Sequence, residues 1–233
     1  PHHLIAMAMK LYVIVGSQPC KGLKWFIANQ DIKNVEIVTL NPMAGELSTP
    51  EYLAKNAMGQ VPLLELEDGT FLTESAAIIQ YLASINDVGT EYPESALERA
   101  RVHEALHQVD SLARKVSFLI LRPMIGKKFS PAGAEMPPIA DIHAANAEEL
   151  SWALGVLDAQ LGKQKYAAGD QFTIADYQIG SELNQLPVFA PVLPDAAKLE
   201  KFANIARYLE DIKVVKGHDA TYQETAMVFG MVQ

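Results

Sequence analysis

The sequence predicts an α/β amino-terminal domain built on one mixed sheet, followed by an all-helical domain. Three observations lead there. Over about the first 75 residues beyond Met9, apolar β-branched runs and helical stretches follow the order βαβ and then ββα. Asn86–Pro93 is polar and contains Gly89 and Pro93, which marks a linker. Beyond it, apolar residues recur three and four apart and no strand pattern returns. The implied boundaries are 9–85 for the first domain, 86–93 for the linker and 94–233 for the second.

The elements run in order along the chain. Leu11–Val15 is continuously apolar and ends at Gly16, as a strand buried on both faces would. Pro19 suits the first turn of a helix that carries Trp25, Phe26 and Ala28 and runs to Asn29. Val35–Leu40 supplies a second strand, parallel to the first through a right-handed crossover. After a loop with Asn41-Pro42 and Gly45, a short helical stretch covers Pro50–Asn56. Leu63–Leu66 and Thr70–Leu72 flank Asp68-Gly69, a strong hairpin signal, and a helix over Ser75–Ser84 closes the unit. This is the thioredoxin-like arrangement. In the second domain Val102, Ala105, Leu106, Val109, Leu112, Ala113, Val116 and Leu119 predict one long amphipathic helix, with further helices through Leu150–Leu161 and Leu199–Leu209.

Composition excludes several function classes. The 233 residues are 49% apolar and 20% charged, ordinary globular usage. Nineteen Lys and Arg against 28 Asp and Glu give a formal charge of −9, so no basic surface points to nucleic acid or an anionic membrane. The apolar runs Leu11–Val15 and Phe118–Leu121 fall far short of the roughly 20 residues that cross a bilayer. Cys20 is the only cysteine, which precludes an intrachain disulfide or a cysteine metal cluster and fits the cytoplasm; no metal is expected. Pro1-His2-His3 reads as a remnant ahead of Met7 or Met9, and a start there leaves no room for a signal peptide.

Three segments could carry chemistry. At Ser17-Gln18-Pro19-Cys20 the first strand meets the first helix, where the helix N–H groups and dipole favour an anion. Ser17 can donate to a thiolate brought by a substrate and lower its pKa, or it can simply cap the helix. Cys20 reads as a structural thiol. At Gly59-Gln60-Val61-Pro62 the backbone of Val61 is free to pair with an extended ligand, which a cis bond to Pro62 would suit; an ordinary strand-initiating proline is the alternative. At Thr73-Glu74-Ser75, Ser75 is placed as an N-cap able to bind a carboxylate, and Glu74 can pair with an ammonium, so the two suit an amino-acid head group. A plain cap beside a solvated Glu74 reads equally well.

Together these segments resemble the glutathione transferase superfamily over essentially the whole chain beyond Met9. Ser17-Gln-Pro-Cys-Lys21, Asn56-Ala-Met-Gly-Gln-Val-Pro62 and Leu72-Thr-Glu-Ser-Ala-Ala-Ile-Ile79 look like its three glutathione-site segments in order. Arg99-Ala-Arg-Val-His-Glu104 resembles the long helix of the serine-dependent theta class. Phe172-Thr-Ile-Ala-Asp-Tyr177 resembles its buried helix start, with Thr173 as cap, Asp176 as capping-box partner, and Phe172 and Tyr177 as staple.

The resemblance implies an enzyme that activates reduced glutathione, its co-substrate, through Ser17 and adds the thiolate to a hydrophobic electrophile. Val61 and Pro62 would pair with the cysteinyl part, and Gln60, Glu74 and Ser75 would hold the γ-glutamyl end. Arg114, Phe118 and Met124 would line the second-substrate pocket. Asp110 would reach the γ-glutamyl amine across the interface of a homodimer. A cytoplasmic role in detoxification is implied as well. Two positions depart from the theta pattern: Leu47 stands where a histidine meets the glycyl carboxylate, and Gln60 where a lysine is common, although Gln60 matches other classes. Three rivals share the fold: a non-catalytic glutathione-binding, hydrophobic-ligand-binding or assembly module, a glutathione-dependent dehalogenase or peroxidase, and a thiol transferase using Cys20.

Overall fold

The computed structural model describes residues 8–128 and 137–232. The remnant expected at Pro1-His2-His3 and the start expected at Met7 lie outside them. The first strand, β1 (Met9–Val13), is central in a sheet of order β2-β1-β3-β4. It pairs in parallel with β2 (Val35–Thr39), Met9 opposite Val35, and antiparallel with β3 (Leu63–Glu65), Tyr12 opposite Leu63. The hairpin partner β4 (Phe71–Leu72) lies antiparallel to β3, and Asp68 Oδ1 accepts the Thr70 N–H in the turn at 2.8 Å. The mixed sheet and the hairpin are as the sequence predicts.

One strand boundary needs correction. The chain leaves the sheet at Val13 rather than Val15, whose side chain is 46% exposed. Gly16 then takes a φ of 85° and donates its N–H to Glu224 Oε1 at 2.8 Å. That turn delivers Ser17 to the start of helix α1 (Gln18–Asn29).

Helix α1 packs closely on α8 (Ile174–Leu183) of the second domain. The approach requires glycine: a Cβ on Gly22 would stand 2.9 Å from the Tyr177 carbonyl oxygen. Trp25, buried on α1, meets the rings of Tyr177 and His218 edge-on at 5.1 and 5.3 Å. The start of α8 has the expected capping box. Asp176, fully buried, accepts the Thr173 N–H at 2.8 Å and also the Ala167 N–H at 2.8 Å and the Tyr208 hydroxyl at 3.1 Å. Burial nevertheless pushes its carboxyl up to about 6.

The long helix predicted through residues 102–119 is not uniform. Helix α4 (Ala96–Gln108) runs into two π-helical turns, Val109–Ala113 and Ser117–Leu121, before α5 (Arg122–Lys128). The Arg114 N–H reaches back five residues to the Val109 carbonyl at 2.8 Å. Apolar spacing of three and four survives such a widening, so periodicity does not reveal it. Both turns flank Arg114. The remaining helical elements include α7 (Ala147–Leu161), α10 (Ala203–Ile212) and α11 (His218–Val232), and Asp158 on α7 accepts the N–H groups of Asn204 and Ile205 at the start of α10.

Candidate functional site

Ser17 is the N-cap residue of α1, with extended backbone, but its hydroxyl makes no capping bond. Its side chain is hydrogen-bonded with the Cys20 thiol instead. The first turn of α1 contains Pro19 and no acidic residue of its own, and the one carboxylate at its start, Glu224 on the Gly16 N–H, is paired with Lys24. Cys20 itself is fully buried, and burial pushes its thiol up despite the bonds from Ser17 and the Ile14 backbone. A neutral thiol inside the core is no nucleophile at neutral pH.

The Val61–Pro62 peptide is cis, and β3 begins only at Leu63, which leaves Val61 outside the ladder. The Gln60 carbonyl is held by the Tyr52 hydroxyl at 2.7 Å and by Asn56 Nδ2 at 2.8 Å. These bonds fix the segment from below while the Gln60 residue remains exposed.

At the third segment the structure corrects the expected cap. Glu74, with a φ of 67°, is the N-cap residue of α3 (Ser75–Ile85), and Ser75 is the first residue within the helix. The left-handed backbone at Glu74 turns the chain from β4 into the helix, and the Glu74 carbonyl accepts the Ile78 N–H at 2.9 Å. Ser75 is thus one step too late to cap, although it still stands at the helix start.

Gln60, Val61, Pro62, Glu74 and Ser75 converge on one small cavity of about 60 Å³, together with Arg114. A larger groove of about 460 Å³ adjoins it, lined by Ser17, Leu47, Gln60, Val61, Arg114, Ser117, Phe118, Arg122 and Glu182, among others. Arg114 lines both spaces. Its Nη1 donates to Asp110 at 2.8 Å, and its guanidinium lies 4.9 Å from the centre of the Phe118 ring. Asp110 therefore pairs within its own chain, and its side chain is 67% exposed.

Met124 corrects the expected lining of the pocket. It points into the core, 5% exposed, and does not line the groove. Ile125 lines the groove in its place: it follows Phe118, Leu121 and Arg122 by seven, four and three residues and so shares their face of the helix, which Met124 does not. Leu47, which departs from the theta pattern, lies on the groove wall and presents an apolar side chain. His107 is exposed on α4.

Sequence reasoning missed the floor of the groove. Glu182 is 1% exposed; its Oε2 accepts from Ser117 Oγ and, at 2.9 Å, from Gln185 Nε2. Gln185 Oε1 in turn accepts from Gln18 Nε2 at 2.7 Å, tying the floor to α1. Lys21, also 1% exposed, donates to Thr225 on α11. Burial pushes Glu182 up to about 7 and Lys21 down to about 8. The signal was the polar run Ser181-Glu182-Leu183-Asn184-Gln185 at the end of a helix whose start is fully buried.

A larger cavity of about 980 Å³ opens at the linker, where Tyr92, Arg99 and Thr173 contribute. Arg99 is already engaged there, stacked over Tyr92 and bonded to the Pro93 carbonyl at 2.8 Å. The chemistry gathers at the Ser17 groove. Among the described residues no helix is long and apolar enough to cross a membrane.

Residues 7–84 match the family profile "Glutathione S-transferase, N-terminal domain", and residues 121–213 match "Glutathione S-transferase, C-terminal domain". The chain is 34% identical to Glutathione S-transferase F13 of Arabidopsis thaliana, over 73% of this chain and 76% of that protein. It is 31% identical to human Glutathione S-transferase theta-2, over 77% of this chain and 72% of that one. The match to Glutathione S-transferase 2 of Saccharomyces cerevisiae, at 28% identity, takes in 64% of this chain and 63% of the relative, less than two thirds of its length. Among solved structures, an unclassified glutathione S-transferase of Bombyx mori superposes with a TM-score of 0.78 at 24% identity, over 97% of each chain.

Proposed function

The chain belongs to the glutathione S-transferase family, and on that premise we propose that it binds reduced glutathione, activates its thiol at Ser17 and transfers the sulfur to a hydrophobic electrophile. The observation that carries this reading is the convergence at Ser17. A serine hydroxyl that makes no capping bond stands at the start of a helix whose first turn carries no acidic residue, on the same groove as Val61 and Arg114.

In this reading the γ-glutamyl end lies in the small cavity, with its ammonium on Glu74 and its carboxylate at Ser75 and the start of α3. Gln60 borders the same end, and the cysteinyl backbone pairs with Val61 beside the cis bond to Pro62. The sulfur then comes to Ser17, whose O–H donates to the thiolate and lowers the thiol pKa. The thiol proton leaves to solvent, the sulfur forms a bond to the electrophilic carbon, and the leaving group departs with the bonding pair. Proximity and thiol activation supply the rate. The electrophile occupies the groove against Phe118 and Arg114.

A homodimer in the cytoplasm, serving detoxification, completes the proposal; Asp110 would have to exchange Arg114 for a partner's ligand to bridge the interface. One observation favours a second reading, a non-catalytic binding module: Leu47 puts an apolar wall where a cation would meet the glycyl carboxylate. The test is the ultraviolet thiolate absorbance of glutathione titrated against pH with the protein and with Ser17→Ala. A lowered thiol pKa that reverts in the variant is expected, with turnover falling about ten- to a hundredfold. Binding without a shift establishes the module, and product analysis separates transfer from dehalogenation or peroxide reduction.

A further inference from the structure

Arg114 stands between two acids of opposite surroundings. Asp110, on the solvent side, meets Nη1; Glu182, on the buried side, places Oε1 3.7 Å from Nε. Neither Nε nor Oε1 has a hydrogen-bond partner, and both are closed to solvent. The other carboxylate oxygen is taken by Ser117 and Gln185. Glu182 is thus immobilised from behind, and its other oxygen lies against the guanidinium. A substrate in the groove cannot touch that oxygen but can touch the outer N–H groups of Arg114.

We propose that Glu182 is a positioning residue for the second substrate: it fixes Arg114 at the junction of the two cavities, where the outer guanidinium N–H groups receive an electrophile bearing oxygen acceptors such as nitro or carbonyl groups. The inference rests on the transferase reading and deepens it. A guanidinium held on two sides and stacked on Phe118 keeps its donors aimed, so less ordering is required when the acceptor arrives. The charges facing Glu182 are Arg114, from the π-turn segment, and Lys21, from α1; Lys21 is itself flanked by Glu224 and Lys24. With a carboxyl pushed up to about 7, the grip on Arg114 is complete only above neutral pH.

The experiment compares a chlorodinitrobenzene, whose nitro oxygens accept, with benzyl chloride, which has no oxygen, using Glu182→Gln, Glu182→Asp, Arg114→Ala and the Glu182→Gln, Arg114→Ala double variant. Glu182→Gln is expected to cut kcat/KM for the nitro substrate about tenfold or more relative to that for benzyl chloride, and Arg114→Ala to cut that ratio at least as far. The double variant is expected to be no slower than Arg114→Ala alone. In the wild type, the ratio of the two rates rises with pH through about 7, because the thiol ionisation common to both substrates cancels. That rise disappears in Glu182→Gln and returns in Glu182→Asp. Should Glu182→Gln fail to fold, Ser117→Ala, which loosens the carboxylate from behind, is expected to give a smaller loss of the same selectivity. Equal losses for both electrophiles, or additive losses in the double variant, overturn the proposal. A wild-type protein that neither lowers the thiol pKa nor turns over overturns this and the transferase reading together; an active wild type with uncoupled variants overturns this one alone.

Discussion

The Tyr177 hydroxyl on α8 donates to Glu91 Oε2 in the linker at 2.6 Å, and Asn29 Nδ2 at the end of α1 donates to that same hydroxyl at 2.6 Å. One oxygen therefore joins the first domain, the linker and the second domain. Burial pushes the Glu91 carboxyl up, and the bonds from Tyr177 and Asn29 offset part of that. Removing the hydroxyl leaves an acid and an amide short of a partner in a half-buried place. Tyr177→Phe is expected to lower stability by about 1–3 kcal/mol in urea unfolding. A change within a few tenths of a kcal/mol would mean that water replaces the hydroxyl and the joint is not needed.

Cys20 is the next residue to test, because it is the other candidate for thiol chemistry in the Ser17 turn. A fully buried thiol with a raised pKa reacts slowly with disulfide reagents. Native protein is expected to leave an aromatic disulfide reagent unreacted until denaturant is added. Cys20→Ala is expected to keep the glutathione thiolate shift and to cost about 1–2 kcal/mol through the small cavity it leaves. Fast labelling of native protein, or loss of the thiolate shift in the variant, would return the mechanism to the cysteine.

These tests track the line between the features a sequence reveals and those it hides. The sheet order and the hairpin were legible because they depend on local signals: the apolar run at Leu11, the crossover to Val35 and the Asp68-Gly69 turn. The box at Thr173 and Asp176 was legible for the same reason, its partners lying three residues apart. The convergence of Gln60–Pro62, Glu74 and Ser75 on one cavity was expected only through the family resemblance, since the segments are far apart in sequence. Three features were hidden. Helix widening at Val109–Ala113 and Ser117–Leu121 leaves the apolar spacing of three and four intact, so the periodicity shows one plain helix. The left-handed backbone at Glu74 has no side-chain signature, so Ser75 reads as the cap in sequence alone. The Glu182 floor is assembled from α1, the second π turn, the end of α8 and Gln185 just beyond it, and only the packed fold brings Gln18 and Ser117 there.

That floor also predicts how stability varies with pH. Glu182 has a carboxyl raised from 4.5 to about 7, so between those values the folded state binds more protons than the unfolded state. Stability from this group is full below about pH 4.5 and is lost as pH rises through about 7. At about 1.4 kcal/mol per pH unit the loss approaches roughly 3 kcal/mol. Asp176, raised from 3.8 to about 6, acts in the same direction over a lower window. The comparison that isolates Glu182 is therefore wild type against Glu182→Gln, since Asp176 is common to both. Urea unfolding from pH 4.5 to 8 is expected to show the variant gaining stability relative to the wild type as pH rises, with most of the gain between pH 5 and 7.5. A constant difference across that range would mean that Arg114 and Lys21 hold the carboxylate ionised throughout, and Glu182 would then be a fixed charge with no part in the pH response of the groove.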